Sequence, residues 1–178
     1  MPYPPYHVGT NAFFGLSLRR WIDPAVIVLV NVVIDIEVLT ATSYPDHHRH
    51  WHFHTFLVGG LIGAGVGLLC WFAKPLFKKI MSLVRINYEP RLWSMVAGGT
   101  LGMWIHVLID SFDHYDVQPF WPYQRNPFWR ILNHPPYSES DRDLLNIICL
   151  AFWVLAVILY IFAVKRFNKQ KKGKSGDD

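Results

Sequence analysis

His106 and Asp110 sit in the stretch Trp104-Ile105-His106-Val107-Leu108-Ile109-Asp110, at the end of an apolar run that begins near Trp93. Residues four apart share one face of a helix, and a histidine and a carboxylate on one face can grip a divalent metal. Ionisable side chains at membrane depth are expensive and mark functional sites. Asp35 and Glu37 interrupt a second apolar run, and His54 opens a third. Asp35 and Glu37 are two apart, so a continuous helix points them to different faces. Either the helix ends there or only one of them ligates; Asp35 is the expected ligand, with Glu37 supporting the site or acting as general base. The cluster His47, His48, His50, His52 and His54 is too crowded for one centre, since histidine-rich tracts also bind metals adventitiously. His54 is preferred because Thr55-Phe56-Leu57 begins a helix beside it. His114 and His134, near Asp113 and Asp116, are weaker candidates.

These residues require helices to position them. The chain has 178 residues, 52% hydrophobic, 16% aromatic and only 17% charged, which suits one membrane-embedded domain. Residues 55–73, 93–112 and 144–164 each approach the ~20 residues needed to cross a bilayer. A fourth run, 24–43, spans if Asp35 and Glu37 face protein. The expected fold is all-α, a polytopic bundle of about four to five helices over residues 1–164. A basic tail, 165–178, is expected to be disordered. Met1 to His7 carries no basic residue before an apolar stretch, so no cleavable signal peptide is expected. Cys70 and Cys149 both lie in apolar runs and read as buried thiols.

Alternating helices put thirteen of the seventeen Lys and Arg residues on one side. By the positive-inside rule that side, and the C-terminal tail, is cytoplasmic. Only Arg49, Arg125, Arg130 and Arg142 fall outside, with the histidine loop and the segment 113–143. The net charge of +4 belongs mostly to the tail, which reads as a juxtamembrane anchor to anionic lipid and not as a nucleic-acid binder.

The N-terminus has two arrangements open to it, a surface-lying amphipathic segment or a helical hairpin, and the hairpin is favoured. It would turn at Trp21–Asp23, with Asp23 as N-cap and Pro24 in the first turn of the next helix. At 1.5 Å per residue, His7 and Asp35 then rise about 20 and 17 Å from the arginine end, and His106 about 22 Å. His54 enters from the outer end, so all four reach similar depth. Gly59, Gly63 and Gly67, and Gly98 and Gly102, have the four-residue spacing that lets membrane helices approach closely. The segment Pro119-Phe120-Trp121-Pro122-Tyr123 to Pro127-Phe128-Trp129 reads as an interfacial aromatic belt, a lid over an amphiphilic substrate, or both. No Gly-rich phosphate loop or G-x-S-x-G elbow is present, which argues against nucleotide hydrolysis and serine esterase chemistry.

Met1-Pro2-Tyr3 … His7, Asp35-Ile36-Glu37, His48-Arg49 … His54-Thr55-Phe56-Leu57 and His106-x-x-x-Asp110 followed by Pro119-Phe120 occur in an order that resembles the bacterial inner-membrane metal-dependent hydrolases, the LexA-regulated hydrolase-like group. The order is also similar to that of zinc-dependent phospholipase C. The resemblance covers roughly residues 1–130. It departs from the membrane group at Ile34, where that group has proline, and in the spacing from His48-Arg49 to His54, which is one residue longer; it departs from the soluble phospholipases at His134, which has Ser138 four residues on where they have glutamate. The resemblance implies an inner-membrane hydrolase with one or two divalent ions, zinc being expected, held by His7, Asp35, His54, His106 and Asp110. Asp35 or Glu37 would be the catalytic base, and a phospholipid or lipid-linked phosphate the substrate. The rival classes are a metal transporter, disfavoured by the almost wholly apolar last helix, and a membrane protein stapled by a structural metal.

Overall fold

The computed structural model describes residues 4–41, 52–132 and 139–174, which are helical without a strand among them. In chain order the helices are α1 (Pro4–Ser17), α2 (Val26–Ala41), α3 (Phe56–Phe72), α4 (Lys74–Leu83), α5 (Leu92–Asp113), the short α6 (Trp129–Leu132) and α7 (Glu139–Lys174). By length and composition α5 and residues 143–171 of α7 can each cross a membrane, whereas α3 and α4 meet the same requirement only when taken together, with an 85° bend between them. The protein is thus an all-α membrane bundle.

The N-terminal hairpin forms because Asp23 can satisfy the start of α2. Its Oδ1 accepts the backbone N–H groups of Ala25 and Val26, both at 3.0 Å. Such a cap neutralises donors that a helix N-terminus otherwise leaves unpaired. The same residue ties the turn to the rest of the bundle: its own N–H donates to the Ser94 carbonyl at 2.9 Å, and Tyr88 Oη donates to Oδ2 at 2.7 Å. Burial and the neighbouring Asp23 carboxylate push the Tyr88 phenol above its ordinary range.

Helix association inside a membrane gains little from hydrophobicity, because lipid tails are as apolar as side chains, so close packing carries it. The largest interface joins α3 to α5. There Gly63 and Gly99 face each other, and a Cβ on either would overlap the other's carbonyl; Gly67 lies against the Met95 carbonyl. The four-residue spacing of Gly98 and Gly102 does mark close helix contacts, but not this one. Gly98 faces the Asp23 backbone, where a Cβ would lie 2.9 Å from the carbonyl oxygen. Gly102 faces α2, 2.7 Å from the Ile27 carbonyl oxygen on the same construction. Helix α5 therefore has two glycine faces one residue out of phase, and it is the central helix. Around it Val26, Val30 and Ile34 of α2 meet Met95, Met103 and Val107 in the main apolar core.

α7 packs chiefly along α1, where Gly9 accommodates Trp153 and the rings of Phe13 and Phe14 meet Phe152. Its opposite face is apolar and open, with Ile147 62% and Val154 51% exposed, as a lipid-facing surface requires. The basic stretch expected to be disordered is helical as far as Lys174. Lys, Arg and Gln are good helix formers, Ala163 packs against Met81 and Ile86, and Asn87 Nδ2 donates to Gln170 Oε1 at 2.6 Å. Helix α4 was not anticipated. It breaks from α3 near Pro75 and sets Lys74, Lys78 and Lys79 beside exposed Leu76, Ile80 and Leu83, a composition suited to the membrane surface. It ends in a Schellman turn: Ile86 N–H donates to the Met81 carbonyl, Arg85 N–H to that of Ser82, and Arg85 has φ 56°. Cys70 and Cys149 are free and buried.

Candidate metal centre

Three helices each present a pair of polar residues at i and i+4: His7 and Asn11 on α1, Asn31 and Asp35 on α2, His106 and Asp110 on α5. The hairpin and the glycine contacts bring these pairs together, and His54 closes the group from just before the Thr55 N-cap of α3, whose Oγ1 accepts Val58 N–H at 3.0 Å. Asp110 is the hub. Its Oδ1 lies 3.2 Å from His7 Nε2, and its Oδ2 lies 3.1 Å from His106 Nε2 and 3.4 Å from His54 Nε2. Asp35 Oδ1 is 3.4 Å from His106 Nε2. The His7 ring stacks on that of His106 with 4.1 Å between centroids.

Hydrogen bonds behind the rings determine what they present. Asn31 Nδ2 donates to the carbonyls of Val28 (3.0 Å) and Ile27 (3.4 Å), so its Oδ1 is the free acceptor end of the amide. Asn11 Nδ2 donates to that Oδ1 at 2.9 Å and to the Gly102 carbonyl at 3.2 Å. His106 Nδ1, 3.1 Å from the same oxygen, must therefore carry its proton and donate. A neutral His106 then turns the Nε2 lone pair toward the carboxylates of Asp110 and Asp35. His54 is oriented in the same way, with Nδ1 2.8 Å from Glu37 Oε2. Glu37 also accepts the Phe53 N–H, at 3.0 and 3.2 Å to its two oxygens. Helix α2 continues past Asp35 and Glu37 to Ala41, so the two carboxylates diverge: one enters the cluster and the other stands behind His54.

This donor set fits a divalent cation. His106 Nε2 is buried, faces two carboxylates, and makes no hydrogen bond. A lone pair against anionic oxygens is repulsive unless a positive charge lies between them. Nitrogen and oxygen ligands about 2.0–2.1 Å from a tetrahedral zinc stand about 3.3–3.4 Å apart, and the separations here are 3.1 to 3.4 Å. Two groups have the geometry to hold an ion, His7–His106–Asp110 and Asp35–His54–His106. They share His106, so both surround one place in the bundle. Imidazoles held from behind by carboxylates or amides are the usual support of metal ligands.

The remaining candidates lie elsewhere. His47, His48, Arg49, His50 and His134 fall outside the described residues. His52 sits edge-on to Trp121, with ring centroids 5.4 Å apart, and its carbonyl accepts the Thr55 hydroxyl. His114 Nε2 is 3.4 Å from Asp113 Oδ2 at the end of α5 and belongs to neither group. The outer segment is tied down by Asn126, which donates to the carbonyls of Ser111 and His114 and accepts from the N–H groups of Phe128 and Trp129. Phe120 lies over Phe56, and the Pro119 carbonyl accepts Phe56 N–H at 2.8 Å, so this segment covers the start of α3. Sequence reasoning missed Asn11 and Asn31. The signal was there: each stands four residues from a candidate ligand, within an apolar run.

No curated protein and no solved structure matches the chain. A family model described as YdjM inner membrane protein matches residues 13–170 and so includes every member of the cluster except His7 and Asn11. Most of the chain is covered, its helices are those of a membrane bundle, and the chain belongs to the YdjM inner membrane protein family.

Proposed function

We propose that this protein is a membrane-embedded, divalent-metal-dependent hydrolase acting on a phosphoester of an amphiphilic or lipid substrate, with zinc as the ion. The observation that carries the reading is the buried His106 Nε2, its lone pair fixed by Asn31 and turned toward two carboxylates. His7, His54, His106 and Asp110 would hold the ion. Bound there, zinc would supply Lewis acidity, polarising the phosphoryl group and making water nucleophilic near neutral pH. Asp35 is the member reachable from outside, its side chain 36% exposed against 5% or less for the other four. It is the residue placed to take the proton of an attacking water. Glu37 is a positioning residue that acts through His54 Nδ1. The exposed rings of Phe120 and Tyr123 beside this end suit the interfacial level, where an amphiphile presents its headgroup. The charge bias of the loops supports a cytoplasmic C-terminal end and a site in the outer half of the membrane.

A metal staple without catalysis is the second reading, favoured by the near-complete burial of His7, His54, His106 and Asp110. Zinc-loaded protein in mixed micelles, assayed for phosphate-ester hydrolysis on phosphatidylglycerol and on a polyprenyl diphosphate, separates the two. Hydrolysis abolished by Asp35→Asn, with metal retained, supports the enzyme. Metal-replete protein inert on both substrates supports the staple.

A further inference from the structure

At the end of the bundle away from the histidines, two adjoining cavities share Arg19, Arg20, Trp21 and Arg166. The larger, about 770 Å³, adds Arg91 and the polar side chains of Asn87 and Tyr88. The smaller, about 510 Å³, is continued by Leu16, Leu159 and Phe162 between α1 and α7. The nearby acids do not balance this charge. Asp23 is taken up by Tyr88 and the α2 amides, and Glu89, the one acid lining the larger cavity, lies 3.3 Å from Lys78. None of the four arginines makes an ion pair among the described residues. Like charges gathered from the turn after α1, the α5 N-terminus and α7 repel one another, and guanidinium forks are the side chains that best match phosphate oxygens. Exposed Trp21 and Trp93, 6.4 Å apart, flank the mouth as side chains at a headgroup level do.

A polar, arginine-lined cavity joined to an apolar groove has the shape of an amphiphile. We infer that it binds an anionic phospholipid of the adjacent leaflet, headgroup phosphate among Arg19, Arg91 and Arg166, acyl chain along Leu16, Leu159 and Phe162. Basic pockets between membrane helices recognise lipid headgroups in this way. The ligand is separate from any substrate of the histidine centre, because α1 alone carries the chain about 15 Å from His7 to Ser17. The apolar groove is what favours a lipid over a free phosphate ion.

Native mass spectrometry of the full-length protein, released from detergent with dioleoylphosphatidylglycerol, dioleoylphosphatidylcholine or sn-glycerol 3-phosphate, tests the inference. The wild type should retain phosphatidylglycerol at least about tenfold better than phosphatidylcholine. Arg19→Gln with Arg166→Gln should remove that preference. Lys169→Gln with Lys171→Gln takes the same charge from α7 outside both cavities and should leave it. Zinc content and elution volume report whether each variant is folded, and Arg19→Lys with Arg166→Lys should recover part of the preference. Equal loss in the two glutamine pairs would reduce the effect to general surface charge and overturn the site. Displacement of the lipid by equimolar glycerol phosphate would show a free-anion site and overturn the lipid assignment.

Discussion

The His7 ring lies almost parallel to that of His106, 14° between planes and 4.1 Å between centroids, although one belongs to the first helix and the other to the fifth. That contact means α1 is a full member of the bundle, inserted so that its N-terminal end reaches the centre.

Replacing His7 by phenylalanine keeps the stacked ring and removes the nitrogen facing Asp110. His7→Phe should lower zinc affinity at least about tenfold, the usual cost of losing a ligand or its support, while leaving the thermal midpoint in detergent near wild type. An unchanged affinity by competition with a fluorescent chelator would take His7 out of the centre.

Asn31 matters through His106. Asn31→Leu removes the acceptor that fixes the tautomer, frees His106 to protonate Nε2, and should also weaken zinc binding by about tenfold or more. Isothermal titration with zinc would register the loss. An Asn31→Leu protein that binds like wild type would refute the tautomer argument.

How far the centre was legible follows from such residues. His106 and Asp110 stood out because ionisable groups are conspicuous in an apolar run, and the hairpin followed from Asp23, Pro24 and the arginines at its turn. Asn11 and Asn31 did not stand out, because amides carry no charge and a hydropathy reading passes over them. Gly99 went unnoticed because the spacing of Gly98 and Gly102 identifies a small face without saying which neighbour it meets. α4 was hidden because its lysines were read only as a topological marker. The charge on Glu37 was equally visible, but its partner could be found only once α2 ran unbroken past it and brought it to His54 Nδ1.

Glycine substitutions separate packing from propensity. Gly63→Ala should destabilise the bundle by about 1–3 kcal/mol, since its Cβ meets the Gly99 backbone. Gly65→Ala has nothing within 4 Å and should be neutral or stabilising by up to about 1 kcal/mol. Denaturant or thermal unfolding in detergent reads both, and equal effects at the two positions would contradict the α3–α5 contact.

The loop charges predict the orientation. In intact cells a membrane-impermeant maleimide should label Ser140→Cys and spare Ser175→Cys. The reverse pattern would invert the protein and place the histidine centre in the inner half of the membrane.

The central claim is that these histidines and carboxylates hold a metal, and elemental analysis of purified protein after a mild chelator wash addresses it most directly. The account predicts about one zinc or manganese ion per chain in the wild type and in His50→Ala, and strong depletion in His106→Ala and Asp110→Ala, each of which deletes a ligand. Equal metal in all four proteins, or none in the wild type, would contradict it.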